Sequence, residues 1–319
     1  MAPAHVILFD PAIVSDNDAD RIASAFARRE VLSTIANCRL VHIPSRDILG
    51  PVARQNMAEA EFTFLTGPVL NSRMDRVKTW GIAAEDLLKF RNIILFGAGW
   101  QIREDIPNDF TAMFLQETLH QDAIHAVADH YTQQQLAAIG IRNTIVTGAP
   151  GCWRVASEGH HLQAANHPGI VVVHLSRSAA DRDTDIALLT AINNEYREVF
   201  LWGSTPRDFE YAEVFNNDYG ELLTPQLEAV AAVFGRGADY IGNDFDVGMH
   251  ALDLGCRAFF LWENLAVGDI QENLNLPVSA RSRPTEVIAL TDKPYPQIDT
   301  TRAEAIDQWR AQFRALGPP

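Results

Sequence analysis

Short, unbroken apolar runs alternate along the chain with longer stretches whose apolar residues recur every three or four positions. The runs predict strands over 6–9, 40–43, 61–65, 92–96 and 143–147, then over 170–175, 199–202, 239–242 and 258–262. They are rich in Val, Ile and Phe and do not alternate with polar residues, as expected of strands covered on both faces of a parallel sheet. The intervening stretches predict helices. From Asp183, residues Ile186, Leu189, Ile192 and Tyr196 form one stripe, with Asp183 or Thr184 as its cap. A last helix places Ile306, Trp309, Phe313 and Leu316 on one face before Gly317 and two prolines stop it. Strand–helix alternation, run twice, predicts two doubly wound α/β domains. The polar, aperiodic stretch 157–169 ends in Pro168-Gly169 and divides the chain into 1–160 and 161–319, with the last helix able to cross back.

Composition narrows the function. At 319 residues, with 47% apolar and 21% charged positions, the chain has the length and core material of two globular domains, which excludes a disordered or fibrous protein. Its 26 Lys and Arg stand against 41 Asp and Glu, a net charge of −15. That excludes nucleic acid and anionic membrane surfaces as bulk partners and requires a local cationic pocket for any anionic substrate. Cys38, Cys152 and Cys256 are sparse and unpaired in pattern, as in a reduced cytoplasmic protein. The first twenty residues lack a basic leader, and their apolar run is broken by Asp10 and Pro11, so no signal peptide and no stable membrane insertion are expected.

In doubly wound folds ligands sit at the carboxyl ends of strands, so the loops after the runs carry the candidate chemistry. Gly97-Ala98-Gly99-Trp100 follows a strand but lacks the third glycine of a dinucleotide fingerprint; it reads as a tight turn, and no nucleotide cofactor is expected. The stretch from Asn17 to Asp20 either meets a sugar hydroxyl or caps a helix starting near Asp20. His120, His125 and His130 lie five apart and do not share a helix face, His160-His161 falls in the boundary stretch, and no zinc pattern exists, so no metal is expected. Asp244-Phe245-Asp246 matches a metal–diphosphate DxD pattern, although Asp246 equally suits the cap of a helix near Gly248. Arg177 and Arg182 follow the most apolar strand, where their planar forks suit a carboxylate or phosphate. Most of the six tryptophans read as core.

Six segments, in order, carry a family resemblance: SDNDADRI, TGPVLNSRMDRVKTW, NIILFGAGWQ, the stretch from AIHAVADHYT to TGAPGCW, LWGSTPRDFEYA, and DYIGNDFDVGMHALDLGCRAFFLWENLAVGDIQENLNLPV. Together they resemble the polysaccharide pyruvyl transferase family over nearly the whole chain. The resemblance implies two Rossmann-like domains facing across a cleft, similar to B-type glycosyltransferases, with the acceptor on the first domain and the donor on the second. It also implies transfer of a pyruvyl group from phosphoenolpyruvate to a sugar or glycan in cell-surface polysaccharide biosynthesis, without metal or nicotinamide. Where members read Thr-Arg-Leu-His, this chain has Asn243, Asp244, Phe245 and Asp246. The Arg-to-Asp change reverses a charge that faces a dianionic donor in the family.

Three readings follow. In the first, phosphoenolpyruvate remains the donor, Arg177 and Arg182 carry its charge, and Asp246 or His250 handles the proton, with Asp244 beside them. In the second the donor is a nucleotide sugar, met by Gly203, Ser204, Thr205, Asn243, Glu263 and Asn264, with Asp246 as base. In the third the chain is a silent relative that binds a glycan or pairs with an active homologue. Asn17, Asp20, Asn71 and Trp100 are the acceptor-side candidates.

Overall fold

The computed structural model describes residues 2–81, 90–158, 168–262 and 274–314. The described residues fall into two units: one takes those up to 15, from 23 to 153 and from 301 onward, the other takes 16–22 and those from 154 to 300. Each is built on its own parallel sheet.

The first unit contains β1 (Ala4–Asp10), β2 (Cys38–Pro44), β3 (Phe62–Leu65), β4 (Pro68–Leu70), β5 (Ile93–Trp100), β6 (His125–Val127) and β7 (Thr144–Val146). The order is β2-β1-β3-β5-β6-β7, with β4 beside the end of β5. The helices are α1 (Asp18–Thr34), α2 (Pro51–Glu59), α3 (Asp109–Thr118), α4 (His130–Ala138) and α5 (Pro150–Glu158). Alternate side chains of the sheet enter two cores, which is why its strands are apolar throughout. Ile7, Phe9, Leu65 and Leu95 face Trp80, Phe114 and Leu115. On the aromatic side, Phe96 stacks on Trp309 at 5.1 Å between centroids, and Phe64 meets Phe313 edge-on at 5.3 Å.

The second unit contains β8 (Ile170–His174), β9 (Glu198–Trp202), β10 (Glu221–Leu222), β11 (Asp239–Gly242), β12 (Ala258–Trp262) and β13 (Val278–Ala280), in the order β10-β9-β8-β11-β12-β13. Numbered within the unit this is 3-2-1-4-5-6, the doubly wound order whose strand direction reverses beside the first strand. Its helices are α6 (Arg182–Glu195), α7 (Pro206–Glu213), α8 (Leu227–Phe234), α9 (Phe245–Asp253) and α10 (Pro284–Thr291); α11 (Ala303–Ala311) returns to the first unit and carries Trp309. Two buried arginine–carboxylate pairs brace this unit. Arg257, 4% exposed, donates through Nε to Asp239 at 2.8 Å, and Tyr196 donates to the same carboxylate at 2.7 Å. Arg281 pairs with the fully buried Asp185.

All nine predicted strands form. Four more, β4, β6, β10 and β13, are two or three residues long, too short to show a period. The turn expected at Gly97 is instead a bulge inside β5, which runs on to Trp100. Gly97 has φ +63, and a Cβ there would lie 2.7 Å from the Gly148 carbonyl, so glycine lets the strand kink without ending. The cap of α6 is Asp181 rather than Asp183 or Thr184, its carboxylate accepting from Thr184 N–H at 3.3 Å. The cap of α9 is Asp244 rather than Asp246, accepting from Val247 N–H at 3.1 Å. In both cases the aspartate three residues before the free N–H is the one that reaches it. Likewise α1 starts at Asp18, two residues earlier than expected, with Asn17 accepting from Ala19 N–H at 3.0 Å. Of the tryptophans, five are buried and Trp262 is 37% exposed. No helix among the described residues is long and apolar enough to cross a membrane.

Candidate functional site

In the second unit the strand order reverses between β8 and β11, and the loops that leave their carboxyl ends diverge there. A pocket of about 680 Å³ opens at this point. Its floor is a buried polar network. His174, the last residue of β8 and 3% exposed, has Nδ1 3.0 Å from Asn243 Oδ1 and Nε2 3.2 Å from Ser204 Oγ. The amide oxygen only accepts, so Nδ1 carries a proton, and in a neutral ring Nε2 accepts from the serine. The single hydroxyl proton of Ser204 also has Asp244 Oδ2 at 3.2 Å and Asp208 Oδ2 at 3.4 Å within reach. One proton with three acceptors, an imidazole and two carboxylates, makes the floor a place where a proton can change owner.

Local rules hold these groups in place. Thr205 and Asp208 form a capping box at the start of α7. Asp208 Oδ1 also accepts from the Arg177 backbone N–H at 2.6 Å, which ties the loop after β8 to the start of α7. Tyr240 Oη donates to the Asp244 carbonyl at 2.8 Å and accepts from Asp244 N–H at 3.0 Å. Burial pushes the Tyr240 phenol well above its usual range, and Asp244 adds to this, so the phenol keeps the proton it donates. Gly242 leaves no room for a side chain: a Cβ there would lie 2.5 Å from Tyr240 Oη and 2.6 Å from His174 Cβ. That closeness is what brings β8 and β11 together beneath the pocket.

Two arginines and two aspartates line the pocket. Arg177 and Arg207 both line the pocket, and both are exposed. The Arg177 guanidinium lies over the Tyr211 ring at 5.6 Å, while Arg207 makes no hydrogen bond or ion pair among the described residues. The carboxylates of Asp208 and Asp244 are turned to local donors, so the two guanidinia are left to meet an anion from outside.

Of the residues expected from sequence, Asn17, Arg177, Ser204, Thr205, Asn243 and Asp244 gather at this pocket. Arg182 lines an adjacent depression, with Arg177 and Arg207, and does not reach the group around Asp244. Gly203 packs against the backbone of Asp208 and Phe209. Asp246 lies in the first turn of α9, and His250 lies on the last turn with its ring edge-on to Phe234 at 6.2 Å; neither lines the pocket. Asp20 is buried on α1. Asn71 and Trp100 belong to the first unit, where both are buried. The Asn71 amide donates to Val77 O and Thr79 Oγ1, and Trp100 Nε1 donates to Ser72 Oγ at 3.1 Å. Glu263, Asn264 and His160-His161 lie outside the described residues.

Sequence reasoning missed His174, Arg207 and Asp208. The signals were present: His174 is the polar end of an otherwise apolar strand, and Thr205-Pro206-Arg207-Asp208 is a capping-box pattern directly after another strand.

No family model matches the sequence, and no curated protein is significantly similar to it. Solved structures are similar. UDP-GlcNAc 2-epimerase from Neisseria meningitidis, bound to UDP-GlcNAc, aligns over 98% of this chain and 100% of its own at 10% identity, with a TM-score of 0.51. MnaA from S. aureus, in a co-structure with UDP, aligns over 99% and 98% at 11% identity, with a TM-score of 0.50. The likeness is one of fold: α/β, with two Rossmann-like doubly wound units of the kind found in B-type glycosyltransferases.

Proposed function

We propose that the chain is a transferase that holds an anionic, phosphate-bearing donor at the second unit's pocket and passes the activated group to a sugar or glycan in cell-surface polysaccharide biosynthesis. The observation that carries this is the pair of guanidinia, Arg177 and Arg207, above a floor able to handle a proton, on a protein of net charge −15. The donor favoured by the sequence segments is phosphoenolpyruvate, and the reaction is pyruvyl transfer. Phosphoenolpyruvate carries two separate anionic groups, a phosphate and a carboxylate, and two guanidinia can take one each. Asp244, which stands where the family has arginine, is used as a helix cap, so Arg207 supplies the positive charge from the neighbouring strand end. Forming the ketal methyl requires a proton at C3 of the enolpyruvyl group, and His174 with Ser204 is the proton-handling pair of this pocket.

A nucleotide sugar is the second reading. It is favoured by the pocket's volume of about 680 Å³, more than a three-carbon phosphate fills, and by the uridine nucleotides bound in the two similar structures. A thermal-shift screen of phosphoenolpyruvate against UDP-, CMP- and GDP-sugars separates the two, because a ligand that binds only the folded state raises the melting temperature by mass action. Pyruvyl transfer requires a shift with phosphoenolpyruvate and none with the nucleotide sugars. The reverse pattern selects the second reading, and no shift with any donor removes both.

A further inference from the structure

The first unit has a cavity of its own, at the edge of its sheet opposite the carboxyl strand ends. Asn92 immediately precedes β5, residues 119–124 lead into β6, and Asn143 immediately precedes β7, so these parallel strands all begin on that edge. A cavity of about 600 Å³ opens there, lined by the amides of Asn92, Gln116, Gln121 and Asn143 and by the His120 imidazole. Two helix ends shape it. α4 stops at Gly140, whose φ of +89 turns the chain so that Ile141 N–H donates back to Leu136 O at 3.0 Å. In that turn the Ile139 carbonyl accepts from Gln116 Nε2, on the last turn of α3, at 2.5 Å.

The other amides are anchored in the same way. Gln121 Nε2 donates to the carbonyls of Gln116 at 2.6 Å and Leu119 at 3.1 Å, and Asn143 Nδ2 donates to those of Ala123 at 2.5 Å and Gln121 at 3.1 Å. A carbonyl only accepts, so these contacts fix which end of each amide is nitrogen. The amide oxygens of Gln116, Gln121 and Asn143 then make no hydrogen bond among the described residues, and neither does the Asn92 side chain. His120 Nδ1 accepts from the backbone N–H of Asp122 at 3.1 Å and of Ala123 at 3.0 Å, so the neutral ring keeps its proton on Nε2 as a donor without a partner among the described residues. Bracing the loops takes only the amide nitrogens and Nδ1; the opposite ends of the same groups are held in place and left unused.

We propose that this cavity binds a neutral pyranose unit of a glycan, at a site separate from the donor pocket. Three fixed amide oxygens and one fixed N–H match a ligand whose hydroxyl groups each donate and accept. The charge is balanced: Arg91 and Glu117, both lining the cavity, pair with each other at 3.2 Å, so no cation is left over for an anion. A phosphate would instead face amide lone pairs, the opposite of the second unit's pocket with its two guanidinia. Leu119 and Ile141, 2% and 9% exposed, supply an apolar patch for the C–H face of a sugar ring. The groups present bind hydroxyls without activating them, so the site holds a sugar rather than altering it. The assignment does not depend on which donor the second unit takes.

The test titrates the whole chain with the methyl glycosides of glucose, galactose, mannose and N-acetylglucosamine, with glycerol and inorganic phosphate as controls. ¹⁵N–¹H spectra follow the side-chain amides of Gln116, Gln121 and Asn143. The proposal requires saturable shifts of these signals with at least one pyranoside. Gln116→Ala/Gln121→Ala should weaken that binding at least about tenfold, the loss of two hydrogen bonds. Asn92→Gly should weaken it about threefold, and because glycine accepts the φ of +66 and the Asn92 side chain bonds nothing among the described residues, this variant decides should the double variant fail to fold. No saturable shift with any pyranoside overturns the assignment, as do equal shifts with glycerol, a stronger response to phosphate, or wild-type affinity in the deciding variant. No donor enters the experiment, so its failure leaves the donor reading standing, and a failed donor screen leaves this site standing.

Discussion

The two units solve the same topological problem with opposite chemistry. In each, the first strand of the sheet ends beside the reversal of strand order in a polar residue: Asp10 on β1 and His174 on β8. Each residue is joined to a partner of the complementary type and to a serine, His42 and Ser24 in one unit, Asn243 and Ser204 in the other. In the first unit the carboxylate is buried and the imidazole opens outward. In the second the imidazole is buried and two guanidinia open outward. The fold decides where the strand order reverses, and the side chains there decide whether a carboxylate or an imidazole is the buried member. The units differ equally in how they are braced, by stacked aromatics around Trp309 in the first and by arginine–carboxylate pairs in the second.

That contrast in bracing gives the largest expected effects. Asp239→Asn leaves Arg257 charged and uncompensated in the second core and should cost about 3–5 kcal/mol. Trp309→Ala empties the aromatic core of the first and should cost about the same through cavity formation. Urea unfolding measures both.

Acid is the next probe. Burial pushes the His125 pKa down to about 4 from an ordinary 6.5, against the opposing hydrogen bond to the His120 carbonyl. Between those values the unfolded chain binds the proton and the folded chain does not, so stability is present above about 6.5 and is lost as pH falls toward about 4. The loss amounts to about 3 kcal/mol. Urea midpoints over this range should slope downward with acid in the wild type and lose most of that slope in His125→Gln. Asp10 adds in the same direction at lower pH, since its depressed pKa makes it a stabilising carboxylate only while ionised.

The smallest expected effect is the most local. Gly242→Ala pushes a methyl group against His174 and Tyr240 and should cost about 1–3 kcal/mol while weakening donor binding. Urea unfolding measures the first effect and calorimetric titration with the donor the second.

The strand framework was legible because strands buried on both faces need long apolar runs, and β1, β8 and β11 supplied them. The short strands β4, β6, β10 and β13 were not legible, since runs of two or three residues carry no period. The loops after β8, β9 and β11 were legible as neighbours, because position at a strand end is a property of topology, and residues of all three line one pocket. The particular side chains were harder. Arg182, at the start of α6, lines the adjacent depression, while Arg207, in the first turn of α7, lines the same pocket as Asn243 and Asp244. Asp244 acts as a helix cap because a cap must sit three residues before the N–H it accepts, and Asp246 does not. Asp10 and His42 are 32 residues apart in sequence, and only the parallel register of β1 with β2 brings them together. Local pattern cannot reveal a pair made by register.

The central claim is that Arg177 and Arg207 make the second unit's pocket the donor site. Calorimetric titration with phosphoenolpyruvate tests it, on wild type, on the double variant Arg177→Ala/Arg207→Ala, and on Arg182→Ala. Removing two charge-assisted hydrogen-bonding groups at once should weaken binding by at least about 100-fold, while Arg182→Ala should bind within about threefold of wild type. Wild-type affinity in the double variant, or an equal loss in Arg182→Ala, would contradict the account.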